Sequence, residues 1–249
     1  AGESITLYLQ YKTRGNLPIA MEAFHQERWQ EFSTTDKLFN GVIFGILICS
    51  FSFITIQLFQ KPTRSSIYLL LFIASGFFLV ADTSGYIQQY IWPNQLVPIK
   101  WVTIVIIMLP LIFYFTFIAH TLRLKRIAPY LYYVYFSIIL SATLVSLASP
   151  FLELSLTIYV LSPISFVAIF FTIHVVLSRQ IPLTTLYVSS LLFHVIFMNI
   201  LVMLNFHSDI VPFIHTHSFT TMKLGFVIEV ILFIILFTYR NKEAKHRYE

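Results

Sequence analysis

The chain has 249 residues, of which 57% are hydrophobic, 17% aromatic and only 11% charged. Water-soluble domains carry about 25% charged residues, so this composition excludes a soluble enzyme and places most of the chain in lipid. The net charge of +5 is no nucleic-acid signature, because the positives collect at the ends of apolar runs, and a single cysteine, Cys49, excludes an internal disulfide framework.

At the start, residues 4–12 alternate, with Ile5, Leu7, Leu9 and Tyr11 on one face and Thr6, Tyr8, Gln10 and Lys12 on the other. Arg14-Gly15-Asn16 then supplies a turn, and Leu17, Ile19, Met21 and Ala23 alternate again. The pattern predicts a β-hairpin. Two strands alone are marginal in water, so residues 1–37 are expected to be an extracellular hairpin and linker that close a larger β-sandwich.

Crossing a bilayer takes about 20 mostly apolar residues. Seven windows qualify: 38–59, 66–92, 100–122, 129–148, 154–177, 184–205 and 218–239. The breaks between them are short, which makes successive helices antiparallel neighbours in an up-and-down bundle. The first, third and fifth breaks and the tail carry Lys61, Arg64, Arg123, Lys125, Arg126, Arg179, Arg240, Lys242, Lys245 and Arg247. Only Lys100 and Lys223 fall on the other side, at helix ends. Positive residues stay with the cytoplasm, so the expected fold is an all-α integral membrane bundle, N-terminus out and C-terminus in. Tyr86, Tyr90, Trp92 and Trp101 mark one interface, and Tyr130, Tyr132, Tyr133 and Tyr239 the other. The last window enters residues 240–249 without Pro or Gly, so this basic tail can continue the helix toward a cytoplasmic output domain.

Several stretches carry a family resemblance. They are Ile5-Thr6-Leu7-Tyr8-Leu9-Gln10 through Leu17-Pro18-Ile19-Ala20-Met21, Gly41-Val42-Ile43-Phe44-Gly45-Ile46-Leu47 and Arg64-Ser65-Ser66-Ile67-Tyr68-Leu69-Leu70. Gly85-Tyr86-Ile87-Gln88-Gln89-Tyr90-Ile91-Trp92-Pro93 and Leu224-Gly225-Phe226-Val227-Ile228-Glu229, running on to Arg240, complete the set. In order and spacing these resemble the membrane module of the seven-transmembrane receptors with diverse intracellular signalling modules. Gln57 departs from the pattern, standing near where many members carry asparagine. The resemblance implies a bacterial inner-membrane sensor with an extracellular β-sandwich and a cytoplasmic histidine kinase, diguanylate cyclase or phosphatase domain. It also implies a homodimer and a non-enzymatic bundle. A small-molecule or carbohydrate-like ligand is compatible with it.

Ionisable groups in hydrocarbon cost at least about 2.5–3.5 kcal/mol and tend to face the bundle interior. Asp82 shares a heptad-spaced face with Ser75 and Gln89, Glu229 lies mid-span one turn below Gly225, and Lys223 lies at a depth where it could meet Asp82. His194 and Asn199 add polar groups in the sixth window. Asp82, Gln89, Lys223, Glu229, His194 and Asn199 form the candidate ligand-binding or signalling core; the alternative is a structural network that fixes helix register. Gly225, Glu229 and Arg240 are the candidate relay positions. No catalytic, metal or cofactor residues are assigned. His120 and His174 fall at cytoplasmic helix ends, and Pro110 and Pro163 are placed to kink the third and fifth spans. His207, Asp209, His215 and His217 crowd the longest outer break without a zinc spacing.

A retinal protein would need its lysine near mid-span with an acid close by, whereas Lys223 is near the outer end and the third window has no acid. An intramembrane metallohydrolase would need ligands converging at one depth, and the acids and histidines fall at several. A small-solute transporter or channel, the alternative reading, would commonly show internal repeats, and none is found.

Overall fold

A computed structural model describes residues 26–91, 99–148, 154–179, 183–196 and 212–246. Among these residues there is no strand. The elements are α1 (Gln26–Gln60), α2 (Arg64–Thr83), a π-helical turn (Ile87–Ile91), α3 (Ile99–Thr121), α4 (Leu124–Ile127), α5 (Pro129–Ala148), α6 (Leu154–Ser178), α7 (Thr184–His194) and α8 (Pro212–His246). The expected hairpin lies outside the described residues. The linker does not stay irregular: from Gln26 onward it forms the first turns of α1.

Local chemistry sets several boundaries. Pro129 and Pro212 open α5 and α8, the first-turn position where a missing N–H leaves no bond unmade. The Thr63 hydroxyl accepts the Ser66 amide at 3.2 Å and caps α2. At the other end Gly85 has a φ of +76°, a left-handed conformation that costs glycine nothing, and its amide bonds the Asp82 carbonyl at 2.9 Å. The second helix therefore ends at Thr83, well short of residue 92, and the chain rewinds as a separate π-helical turn.

Among the described residues, five helices contain stretches long and apolar enough to cross a membrane: Thr34–Gln60, Arg64–Thr83, Val102–Thr121, Pro129–Ala148 and Thr220–Arg240. α6 adds a shorter apolar stretch, Ser162–Ser178. α3 and α6 run as helices through Pro110 and Pro163. At 1.5 Å per residue, 35 residues make α1 and α8 each about 52 Å long, well beyond the ~30 Å hydrocarbon layer.

Neighbours follow chain order and the ring closes: α1 packs on α2, α2 on α3, α3 on α5, α5 on α6, α6 on α7, α7 on α8, and α8 back on α1 and α2. Side-chain pairs show the directions. Asn40 of α1 meets Ser84 just past the end of α2, and Phe44, farther along α1, meets Phe77, farther back on α2, while Tyr68 early in α2 stacks on His120 late in α3. Phe115 meets Tyr135, and Tyr135 in turn meets Thr172, so α3, α5 and α6 also alternate. Asn40 and Gln57 of α1 bond Lys223 and Thr238 of α8. The first and last helices are therefore parallel.

The exterior is apolar and the interior carries the polar groups. Phe59 is 84% and Leu147 75% exposed, while Asn40, His194, Lys223 and Glu229 are buried. That inversion suits a lipid exterior, where buried polar groups need internal partners. Between them Leu47, Leu69, Ile73, Phe117, Leu191 and Phe233 belong to one continuous apolar core.

Candidate functional site

Two polar nodes lie along α8, separated by the six residues from Lys223 to Glu229, about 9 Å of helix rise. At the node nearer the start of α8 the Lys223 ammonium donates to the Asn40 side-chain carbonyl at 3.0 Å. The Ser84 hydroxyl, just past the end of α2, donates to the same oxygen at 3.2 Å. The Asn40 amide donates in turn to the Asp36 carboxylate at 2.9 Å, one turn back on α1. Asn40 is fully buried and Lys223 nearly so. One amide side chain thus ties α1, α8 and the exit of α2, with a buried cation held by a neutral oxygen and an acid one step away.

At the second node the His194 Nδ1 and Glu229 Oε1 atoms are 2.5 Å apart, joining α7 to α8. One proton sits between them, carried either on Nδ1 of the imidazole and donated to the carboxylate or on the carboxyl and donated to Nδ1, as the histidine tautomer dictates. The imidazole lies flat on the Tyr114 ring of α3, with centroids 3.7 Å apart and planes 12° apart. Phe72 and Phe233 pack on the same tyrosine. Among the described residues, the second Glu229 oxygen and the Tyr114 hydroxyl have no hydrogen-bond partner. The carboxyl oxygen is an acceptor and the hydroxyl a donor as well as an acceptor, and both sit beside apolar rings, where an unmade bond is costly.

At the opposite end of α8 the Gln57 amide reaches the Thr238 hydroxyl at 3.5 Å. The Arg240 guanidinium lies within hydrogen-bonding reach of the Tyr187 hydroxyl on α7. α8 is thus tied to α1 at Lys223 and Thr238 and to α7 at Glu229 and Arg240.

Of the residues singled out in sequence, Lys223, Glu229 and His194 all enter these nodes. Asp82 is buried in the last turn of α2. Gln89 is exposed: the heptad face through Ser75 and Asp82 assumed an unbroken helix, and the stop at Gly85 turns the following residues away. Asn199 lies outside the described residues, as do His207 and Asp209, whereas positions 215 and 217 fall on the first turns of α8. Gly225 is buried, and its neighbour Phe226 makes a close contact with α2. The Phe226 ring fills the space over Gly76, where a Cβ would stand 1.8 Å from Cζ. Sequence reasoning missed Asn40, Tyr114 and Gly76. Asn40 was legible in principle, as the one amide near the start of the first apolar run.

The sequence model of a family described as 7TM diverse intracellular signalling matches residues 36–240. That match begins within α1, ends within α8 and takes in both polar nodes. No curated protein matches the chain, and no solved structure does.

Proposed function

The chain belongs to the 7TM diverse intracellular signalling family, and from that premise we propose that it is the membrane sensor and relay module of a bacterial receptor in the cytoplasmic membrane. In this reading the bundle crosses seven times, N-terminus out and C-terminus in, and does no chemistry of its own. A stimulus, small-molecule or carbohydrate-like, arrives from an extracellular sandwich domain or at the outer face. The seventh spanning helix passes it to a cytoplasmic histidine kinase, diguanylate cyclase or phosphatase domain, working as a homodimer.

The observation that carries the proposal is α8 itself. It is one unbroken helix that holds Lys223 against α1, Glu229 against α7, and then continues past Arg240 to His246. Six residues on a helix separate the two side chains by about 240° around the axis, so they grip different neighbours. A rotation or slide of α8 loosens both grips together, which favours two discrete packings over a continuum. From Glu229 to His246 is 17 residues, about 25 Å of rigid rod. A ligand shifts such an equilibrium only through its different affinities for the two packings. The parallel course of α1 and α8 supports an odd number of crossings between them.

The test uses the full-length receptor with its own output domain. Two residues inserted after Arg240 rotate everything beyond by about 200°, while seven complete nearly two turns. The two-residue insertion is expected to change basal output about tenfold or more, and the seven-residue insertion to restore it to near the wild-type level. Equal output from both would remove the helical relay.

A further inference from the structure

We propose that the cleft between α5 and α6 is a binding site for one anionic phospholipid, with an acyl chain in the cleft and the headgroup on the basic chain ends beside it. The inference rests on these two helices being embedded in lipid, and not on what the receptor senses.

The cleft has a volume of about 410 Å³ and is lined by Tyr130 and Val134 of α5 and by Pro163, Ile164, Val167 and Phe171 of α6, with no polar surface exposed in it. From Phe171 to Pro163 is eight residues, about 12 Å along the helix. That is most of one leaflet's half of a ~30 Å hydrocarbon layer, a length that suits a single acyl chain entering from one side. An apolar cleft facing lipid takes up a chain that fits its shape, because packing there replaces looser contacts with bulk tails.

Charge identifies the headgroup. Tyr135 bonds Thr172 across the two helices, which sets the start of α5 beside the end of α6. Tyr130 opens the cleft at that end. Immediately before α5, the connection through α4 carries Arg123, Lys125 and Arg126, all exposed, and α4 packs against α5. Immediately after α6 comes Arg179, also exposed. Neither helix nor the connection contains an acidic residue, so four exposed cations stand at the chain ends on that side of the cleft, with no carboxylate of these segments to neutralise them. A zwitterionic headgroup would leave that charge uncompensated; a phosphatidylglycerol phosphate would not. Basic residues at a membrane surface each strengthen anionic-lipid binding by about fivefold.

The test is native mass spectrometry of the purified chain released from micelles holding equal phosphatidylglycerol and phosphatidylcholine. The wild type is expected to retain one phosphatidylglycerol in clear preference to phosphatidylcholine. Val167→Trp, which fills the cleft, is expected to abolish retention while the helical circular dichroism is unchanged. Lys125→Gln with Arg126→Gln, at two exposed positions that no packing depends on, is expected to lower the preference by about thirtyfold. Equal retention of the two lipids by the wild type overturns the proposal. So does retention that Val167→Trp leaves intact, or a dimer that Val167→Trp dissociates with no lipid bound.

Discussion

Gly76→Ala is expected to destabilise the bundle by about 1–3 kcal/mol, the range for adding volume to a packed core. The new methyl would stand 1.8 Å from Phe226 Cζ and 2.0 Å from Cε1, so either the ring or a helix must move. The ring has little room, since Phe226 is itself packed on Phe72 at a centroid distance of 5.1 Å. The cheaper response is for α2 and α8 to separate. Reversible unfolding in mixed micelles measures the cost, and a double-mutant cycle assigns it. Phe226→Leu should be destabilising alone through lost packing, yet in the Gly76→Ala background it should recover stability, because the clash is gone. Additive effects of the two substitutions would show that the contact does not set the spacing of α2 and α8.

Asn40→Leu is the second substitution with a large expected effect. It removes the oxygen that accepts from both Lys223 and Ser84 and leaves a buried ammonium without that partner. Stranding such a cation costs at least about 2.5–3.5 kcal/mol on insertion scales, well above the ordinary cost of losing a neutral interhelical bond, ~0.6 kcal/mol. Lys223→Met removes the cation together with its need for a partner and should be the milder change. The combination of Asn40→Leu and Lys223→Met should therefore be more stable than Asn40→Leu alone. Unfolding free energies of the four proteins decide the matter. If Asn40→Leu is as benign as Lys223→Met, the Lys223 node does not hold α8.

The apolar windows were readable because lipid allows few backbone solutions: only a helix satisfies its own amides over about 20 residues. The windows at 100–122, 129–148 and 154–177 accordingly match α3, α5 and α6 within a residue or so. The second window failed at its outer end for a local reason. Hydropathy does not register that Gly85 adopts a positive φ, so a run of apolar and aromatic residues looked like continuous helix through Trp92. The same stop explains Gln89, whose heptad partnership with Asp82 existed only on paper.

The polar core was partly legible. Glu229 and Lys223 stand out because charge in hydrocarbon is expensive, and His194 because imidazole is rarely idle there. Their partners were not legible, since partnership depends on which helices touch. Asn40 is uncharged and close to the start of the first apolar window, so a search for ionisable groups passed over it, although it makes all three contacts of the Lys223 node. Tyr114 looks like any other aromatic in a Phe-rich span until the ring closes and sets it against His194. Gly76 carries no chemical signal at all; its role belongs to Phe226 on another helix.

The central claim is a bundle crossed an odd number of times, with α8 emerging on the side opposite the start of α1. Single cysteines introduced by Glu31→Cys and Lys242→Cys in a Cys49→Ala background, probed with a membrane-impermeant thiol reagent on sealed inside-out and right-side-out vesicles, test it directly. The account predicts that position 31 labels only in right-side-out vesicles and position 242 only in inside-out ones. Labelling of both positions from the same face would contradict the orientation, the crossing number and the relay together.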